Sequence, residues 1–181
     1  AAVSGSGTEG GTISTTLTAT DVDDSNSAGF NFSIVSQPTN ITGSVNIGSV
    51  SYSSGTFTVV ATYTHDGSET TSDSFTYKAN DGTDDSNTAT ATIAITAVND
   101  APVAVADPSY SLNEGSTFSA GVPGVISNDT DAEHNSLTAT LVSNVSNGSV
   151  TLNSNGSFTY IHDGSETSSD SFTYYVNDGA D

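Results

Sequence analysis

Apolar and polar residues alternate along much of this chain. Phe57, Val59, Ala61 and Tyr63 form one set, Phe75, Tyr77 and Ala79 the next, and Ala89, Ala91, Ile93, Ile95 and Ala97 a third. Ser74, Thr76, Lys78 and a run of threonines stand between them. The pattern returns later as Phe158/Tyr160 and Phe172/Tyr174/Val176. A period of two with threonine on the intervening positions predicts antiparallel sheets with one buried and one wet face. No segment of useful length has a helical period. Asp81-Gly82, Asn147-Gly148 and Asn155-Gly156 supply turn chemistry between the strands. The expectation is an all-β chain.

The pattern is also duplicated. Gly7-Thr8-Glu9-Gly10-Gly11-Thr12-Ile13 is matched by Leu112-Asn113-Glu114-Gly115-Ser116-Thr117-Phe118. Asp21-Val22-Asp23 is matched by Asp129-Thr130-Asp131, and Tyr63-Thr64-His65-Asp66-Gly67-Ser68-Glu69-Thr70 by Tyr160-Ile161-His162-Asp163-Gly164-Ser165-Glu166-Thr167. The last match continues through Ser72–Tyr77 and Ser169–Tyr174 to Asn80-Asp81-Gly82 and Asn177-Asp178-Gly179. The offset is 105 residues at Glu9, 108 at Asp21 and 97 at Tyr63. Loops of unequal length produce such drift at small entropic cost. A repeat of this length is too long for a solenoid unit and suits a sandwich domain. Domains are therefore expected at residues 1–100 and 101–181.

Asp181 falls where Asp84 stands in the first copy, so the second has no counterpart of Thr88–Val98. It is expected to lack its last strand, which leaves an open edge. A truncated chain, a section of a longer repetitive chain and a strand supplied by a neighbouring molecule all account for this.

Composition narrows the function. The chain has 181 residues, 21 acidic side chains, one Lys or Arg and a formal charge of −20. With Lys78 as its only strong cation it cannot build a phosphate-binding patch, so nucleic acid is not expected as a partner. Having no Cys, it has neither disulfides nor thiolate metal sites. No apolar run approaches the roughly 20 residues of a membrane span. The first residues carry no signal-peptide pattern, and a soluble stretch with its targeting signal elsewhere is expected.

Acids and their amides recur at turns: Glu9, Asp21/Asp23/Asp24, Asp66/Glu69/Asp73, Asp81/Asp84/Asp85 and Asn99/Asp100, then Glu114, Asp129/Asp131/Glu133, Asp163/Glu166/Asp170 and Asp178/Asp181. Acids at turns commonly do no more than solvate loops. Here one basic residue cannot neutralise them, and they recur in register. Calcium takes six to eight oxygen ligands from such groups. In an extended segment residues i and i+2 face one side, so Asp21/Asp23 and Asp129/Asp131 can converge on one ion.

In order along the chain, Glu9 and Glu114, the Asp-x-Asp pairs, Asp66-Gly67-Ser68-Glu69, Ala79-Asn80-Asp81-Gly82 and Asn99-Asp100-Ala101-Pro102 resemble the calcium motifs of cadherin-type domains. The stretch from Asn147 to Tyr160, with 170–179 after it, resembles the bacterial cadherin-like tandem repeats of large surface proteins and adhesins. The resemblance implies two tandem Greek-key β-sandwich domains of cadherin or immunoglobulin-like type, seven-stranded when complete, with Ca²⁺ at the joint. Glu9, Asp66 and Glu69 would come from the first domain, Asn99 and Asp100 from the linker, and Asp129, Asp131 and Asp178 from the second. Either acid of Asp66-Gly67-Ser68-Glu69 can stand for the family's Asp-Arg-Glu, which is one residue shorter. Asp21, Asp23 and Asp81 would face a preceding repeat, and Asp163 and Glu166 a following one. The linker lacks the second Asn of the longer eukaryotic motif, which implies fewer than three ions.

His65-Asp66 and His162-Asp163 invite a hydrolase reading. Both pairs sit in one repeated turn, however, and no G-x-S-x-G elbow occurs, so no enzyme is expected. His134 is expected in a solvated loop. The resemblance implies a secreted or cell-surface bacterial protein. Three roles compete. One is a calcium-rigidified extender holding a distal module away from the cell. Another is a calcium-dependent module binding polysaccharide or a second such domain, with Tyr110 and Tyr175 as the only visible aromatic platform. The third is a subunit of a surface filament joined by strand donation. Partners are neighbouring repeats or identical subunits.

Overall fold

The computed structural model describes residues 2–24 and 26–180. Its regular elements are strands, apart from a short 3-10 turn at Gly124–Ile126. No helix among the described residues is long and apolar enough to cross a membrane. The chain divides into two compact units, Ala1–Val98 and Asn99–Asp181. Asp181, paired with Asp84 in the sequence repeat, lies outside the described residues.

The first unit contains β1 (Val3–Thr8), β2 (Thr12–Thr20), β3 (Asn31–Ser36), β4 (Asn46–Ile47), β5 (Ser51–Ser53), β6 (Thr56–Thr64), β7 (Ser72–Asn80) and β8 (Ala89–Thr96). One sheet has the order β1-β8-β7-β3; the other is β2-β6-β4, with β5 also on β6. β4 and β5 are two pieces along one edge of β6, which gives the seven strands of a Greek-key sandwich. β2 pairs with β6 and β3 with β7, both antiparallel, whereas β1 joins β8 in parallel.

The predicted alternation holds along these strands. Phe57, Val59, Ala61, Tyr63, Phe75, Tyr77, Ala79, Ala91 and Ile93 are all buried, and both sheets contribute to one core. Removal of such side chains from water supplies the main driving force. The third set ends sooner than the sequence suggests: Ala97 follows the end of β8 and is exposed.

β1 has no hydrophobic signature beyond Val3, because its other inward positions are Gly5 and Gly7. A Cβ built on Gly7 would lie 2.4 Å from Ile13 Cγ1. The missing side chains let β1 settle directly onto the core. Gly7→Ala is expected to cost about 1–2 kcal/mol through overpacking, read as a lower urea midpoint at unchanged m-value.

The second unit contains β9 (Thr117–Ala120), β10 (Thr138–Ser143), β11 (Gly148–Leu152), β12 (Phe158–His162) and β13 (Thr173–Asn177). They form the sheets β11-β12-β9 and β10-β13. By the repeat these correspond to β2, β3, β4 with β5, β6 and β7. The sequence predicted one missing strand, but counterparts of both β8 and β1 are lacking among the described residues. The two losses are linked, since β1 finds its sheet only through β8. The core is correspondingly smaller, built on Val125, Ala139, Val150, Phe158 and Tyr160. Phe172 and Tyr174 are half-buried, whereas their counterparts Phe75 and Tyr77 are 1% and 2% exposed.

Asn155-Gly156 forms the turn between β11 and β12, but Asn147-Gly148 does not form a separate turn. Gly148 opens β11 at φ 142°, where a Cβ would meet Ile161 O at 2.0 Å.

Candidate metal centre

In the first unit, Glu9 follows β1 and Glu69 lies in the turn before β7. Their carboxylate oxygens come within 4.8 Å of each other. Glu9 Oε2 accepts from Val98 N at 3.3 Å, and its Oε1 is buried without a hydrogen-bond partner. Asp66, the other acid of this turn, is occupied locally: its Oδ1 accepts from Ser68 Oγ at 2.6 Å and Ser68 N at 3.0 Å. These bonds hold the Asp66 carboxyl below the ordinary range. The geometry therefore favours Glu69 over Asp66 as the partner of Glu9.

A buried histidine holds this arrangement. His65 Nδ1 accepts from Gly10 N at 3.3 Å and Gly67 N at 3.2 Å, and its Nε2 lies 2.9 Å from Thr70 Oγ1. Two donors at Nδ1 place the ring proton on Nε2. The turn after Glu9 is thereby tied to the turn that carries Glu69. His162 repeats the clamp with Gly115 N at 3.2 Å, Gly164 N at 3.0 Å and Thr167 Oγ1 at 3.0 Å. Both rings engage turn backbone and threonine, while Asp66 and Asp163 direct Oδ1 to Ser68 and Ser165.

In the second unit, the segment Asn99-Asp100 gathers groups from two loops. Asn99 Nδ2 donates to Asp178 Oδ2 at 2.6 Å, and Asn135 Nδ2 donates to Asn99 Oδ1 at 3.3 Å. Asp100 N donates to Glu133 Oε1 at 2.9 Å. Asp131 Oδ1 accepts from Asn135 N at 2.7 Å. These bonds place Asn99 and Asp100 with the second unit, two residues earlier than the sequence boundary. Thr130 bridges to Val103, so Asp129-Thr130-Asp131 is extended there, and Asp129 and Asp131 line one shallow pocket with His134 and Asn135. His134 is exposed in its loop.

Asp131 Oδ2 and Glu133 Oε2 are buried without a hydrogen-bond partner. A buried anionic oxygen left unpaired is costly. The protein offers no cation for them, since its single Lys or Arg, Lys78, is paired with Asp85. The neighbouring groups offer oxygen from carboxylate, amide and backbone. This donor set fits calcium, which accepts several oxygens in adaptable geometry, better than magnesium, which demands a near-ideal octahedron.

Asp129 is drawn partly elsewhere. Its Oδ1 accepts from Val105 N at 2.7 Å, and the Tyr174 hydroxyl lies 3.3 Å from its Oδ2. Burial, with Asp129 adding to it, raises the Asp107 carboxyl above the ordinary range against hydrogen bonds from Tyr174 and Tyr110.

The other predicted acids are spread over separate turns. Asp21 Oδ1 accepts from Asp23 N and Asp24 N, so this Asp-x-Asp pair lies in a bend and the extended-strand argument does not apply to it. Asp81 Oδ1 accepts from Asp84 N and Thr83 N, which hold its carboxyl low. Asp163 Oδ1 accepts from Ser165 N, and Ser165 lowers that carboxyl too. Glu114 and Glu166 are exposed beside the His162 clamp. Asp73, grouped with Asp66 and Glu69 in the sequence, is a buried structural carboxylate.

Sequence reasoning did not assign Glu133 or Asn135 to this centre and missed Asp107 altogether. Glu133 follows the Asp129/Asp131 spacing by two more residues, which is a usable signal. Asp107 stands alone before Pro108 and offers none.

Residues 99–181 match the model of the bacterial cadherin-like domain, as the motif resemblance implies. No curated protein matches the sequence. Among solved structures the chain is similar to an endo-fucoidan hydrolase of glycoside hydrolase family 107, at 17% identity and a TM-score of 0.37, covering 98% of this chain and 25% of that one. A variant of the same enzyme matches at 18% identity and a TM-score of 0.32, covering 84% and 22%. The chain thus spans about a quarter of their length. Overlaps this low carry neither activity nor substrate.

Proposed function

We propose that this chain is a calcium-dependent spacer from a secreted or surface-attached bacterial protein, in which the cation orders the connection between successive repeats. The observation that carries this reading is the pair of buried, unpartnered oxygens, Asp131 Oδ2 and Glu133 Oε2, beside Asn99-Asp100. Without a cation, a short connector stands among mutually repelling carboxylates. With calcium the repulsion becomes attraction, and the connector loses freedom. The match to the bacterial cadherin-like domain supports the extracellular setting.

Tyr110 adds little to a glycan-binding reading, because its ring packs on Phe118 and Phe158 with centroids 4.9 and 5.3 Å away. That leaves Tyr175, which is exposed.

The test compares calcium with EDTA in thermal melts and small-angle scattering. With a dissociation constant typical of extracellular modules, on the order of 10⁻⁴–10⁻³ M, tenfold excess calcium stabilises by about 1.4 kcal/mol per site. Chelation is expected to lower the melting temperature and broaden the distribution of chain extension. An unchanged melt and scattering profile would remove the reading.

A further inference from the structure

A groove of about 760 Å³ runs through the second unit. Phe118, Phe158 and Tyr160 line it, together with residues 104–112 along one stretch and 167–174 along another. β13 pairs with β10 alone among the described residues, so its second edge is open, and such an edge is a template for strand addition.

The first unit shows what fills the equivalent place. β8 lies between β7 and β1, antiparallel to one and parallel to the other. Ala91 stands opposite Phe75 and Ala89 opposite Tyr77, so small residues face the rings. Phe172 and Tyr174 are the counterparts of those rings, 97 residues on, and are half-buried.

We propose that this groove binds an extended polypeptide strand, antiparallel to β13, with small apolar residues opposite Phe172 and Tyr174. A branched aliphatic residue follows them, as Ile93 follows Ala91, and threonine or serine occupies the outward positions. The strand is uncharged or basic, since a chain with a formal charge of −20 repels an acidic one. Residues 86–98 have this chemistry and contain no charged side chain. β8 of a second copy is not the occupant, because its Ala91 and Ile93 are fully buried in their own unit. The incoming strand also gives residues 104–112 the parallel neighbour that β1 has in β8.

The experiment adds a synthetic peptide of residues 86–98 to the whole chain at fixed calcium and follows amide exchange by mass spectrometry. Saturable protection of at least tenfold is expected across 173–177 and 104–112, with 72–96 unchanged. A peptide of the same composition in scrambled order, and one carrying A91E, are expected to give none. No protection by the native peptide, or equal protection by the A91E peptide, overturns the proposal. So does a chain that is already dimeric, with β13 protected and indifferent to peptide, since a second copy would then hold the groove.

Discussion

Replacing Asp73 with alanine is expected to destabilise the first unit by about 4 kcal/mol, judged from the hydrogen bonds it would strand. Asp73 is 8% exposed in β7 and accepts from three backbone donors: Ser74 N at 2.7 Å, Asn40 N at 2.8 Å and Thr39 N at 3.2 Å. The Tyr63 hydroxyl lies 3.1 Å from its Oδ2 and 2.6 Å from Asn40 O. Truncation leaves those donors without an acceptor under the loop that leads to β4. Each buried donor left unsatisfied costs roughly 1–3 kcal/mol, and entering water relieves part of the sum. Urea unfolding of the D73A chain measures the loss. A change below about 1 kcal/mol, within the range of ordinary surface substitutions, would show that the carboxylate does not organise the loop.

The same site predicts a pH dependence. Burial opposes ionisation of Asp73, but the donors from Asn40, Ser74, Thr39 and Tyr63 outweigh it and hold the carboxyl below its ordinary value. A carboxyl lowered in the folded state contributes stability that is present above its unfolded pKa and is lost as pH falls through the folded one. With an unfolded value near 3.9, the loss sets in from about pH 4 downward. Asp170 is lowered in the same direction by Ser146, Asn147, Ser171 and Tyr160 against burial, so both units are expected to weaken together in acid. D73A should flatten the acid limb of the first unit.

The fold was legible where a side chain reports its face. Phe57 to Tyr63 and Phe75 to Ala79 bury alternate residues as the period demands. β1 was not legible, because its inward face is made of Gly5 and Gly7, whose function is to have no side chain. The dependence of the β1 counterpart on β8 was not legible either, since strand pairing is set by neighbours in space. At the site, composition and spacing pointed to Asn99-Asp100 and Asp131 as oxygen donors. They could not separate Glu69 from Asp66, because that depends on whether Ser68 occupies the Asp66 carboxylate. Nor could they show Asp73 to be a fold carboxylate, because its partners Thr39 and Asn40 lie more than 30 residues away.

His65→Ala is expected to cost about 3 kcal/mol and to reduce the calcium response at the same time. The ring is 2% exposed and packs edge-on to Tyr63 at a centroid distance of 6.1 Å. Its removal opens a cavity and strips the acceptor from Gly10 N and Gly67 N, two losses of roughly 1–2 kcal/mol each. The effect on calcium follows from geometry. Gly10 adjoins Glu9, and Gly67 is two residues from Glu69, so the imidazole holds the two turns whose carboxylates meet within 4.8 Å. Without it Glu9 and Glu69 separate, and the cation must supply the work of bringing them back. Equilibrium unfolding reads the first effect, and the calcium-dependent gain in melting temperature reads the second. His65→Asn offers a side-chain oxygen near the Nδ1 position and is expected to recover part of both. A variant that loses stability but keeps its full calcium gain would confine His65 to the fold and remove Glu9 and Glu69 from the metal centre.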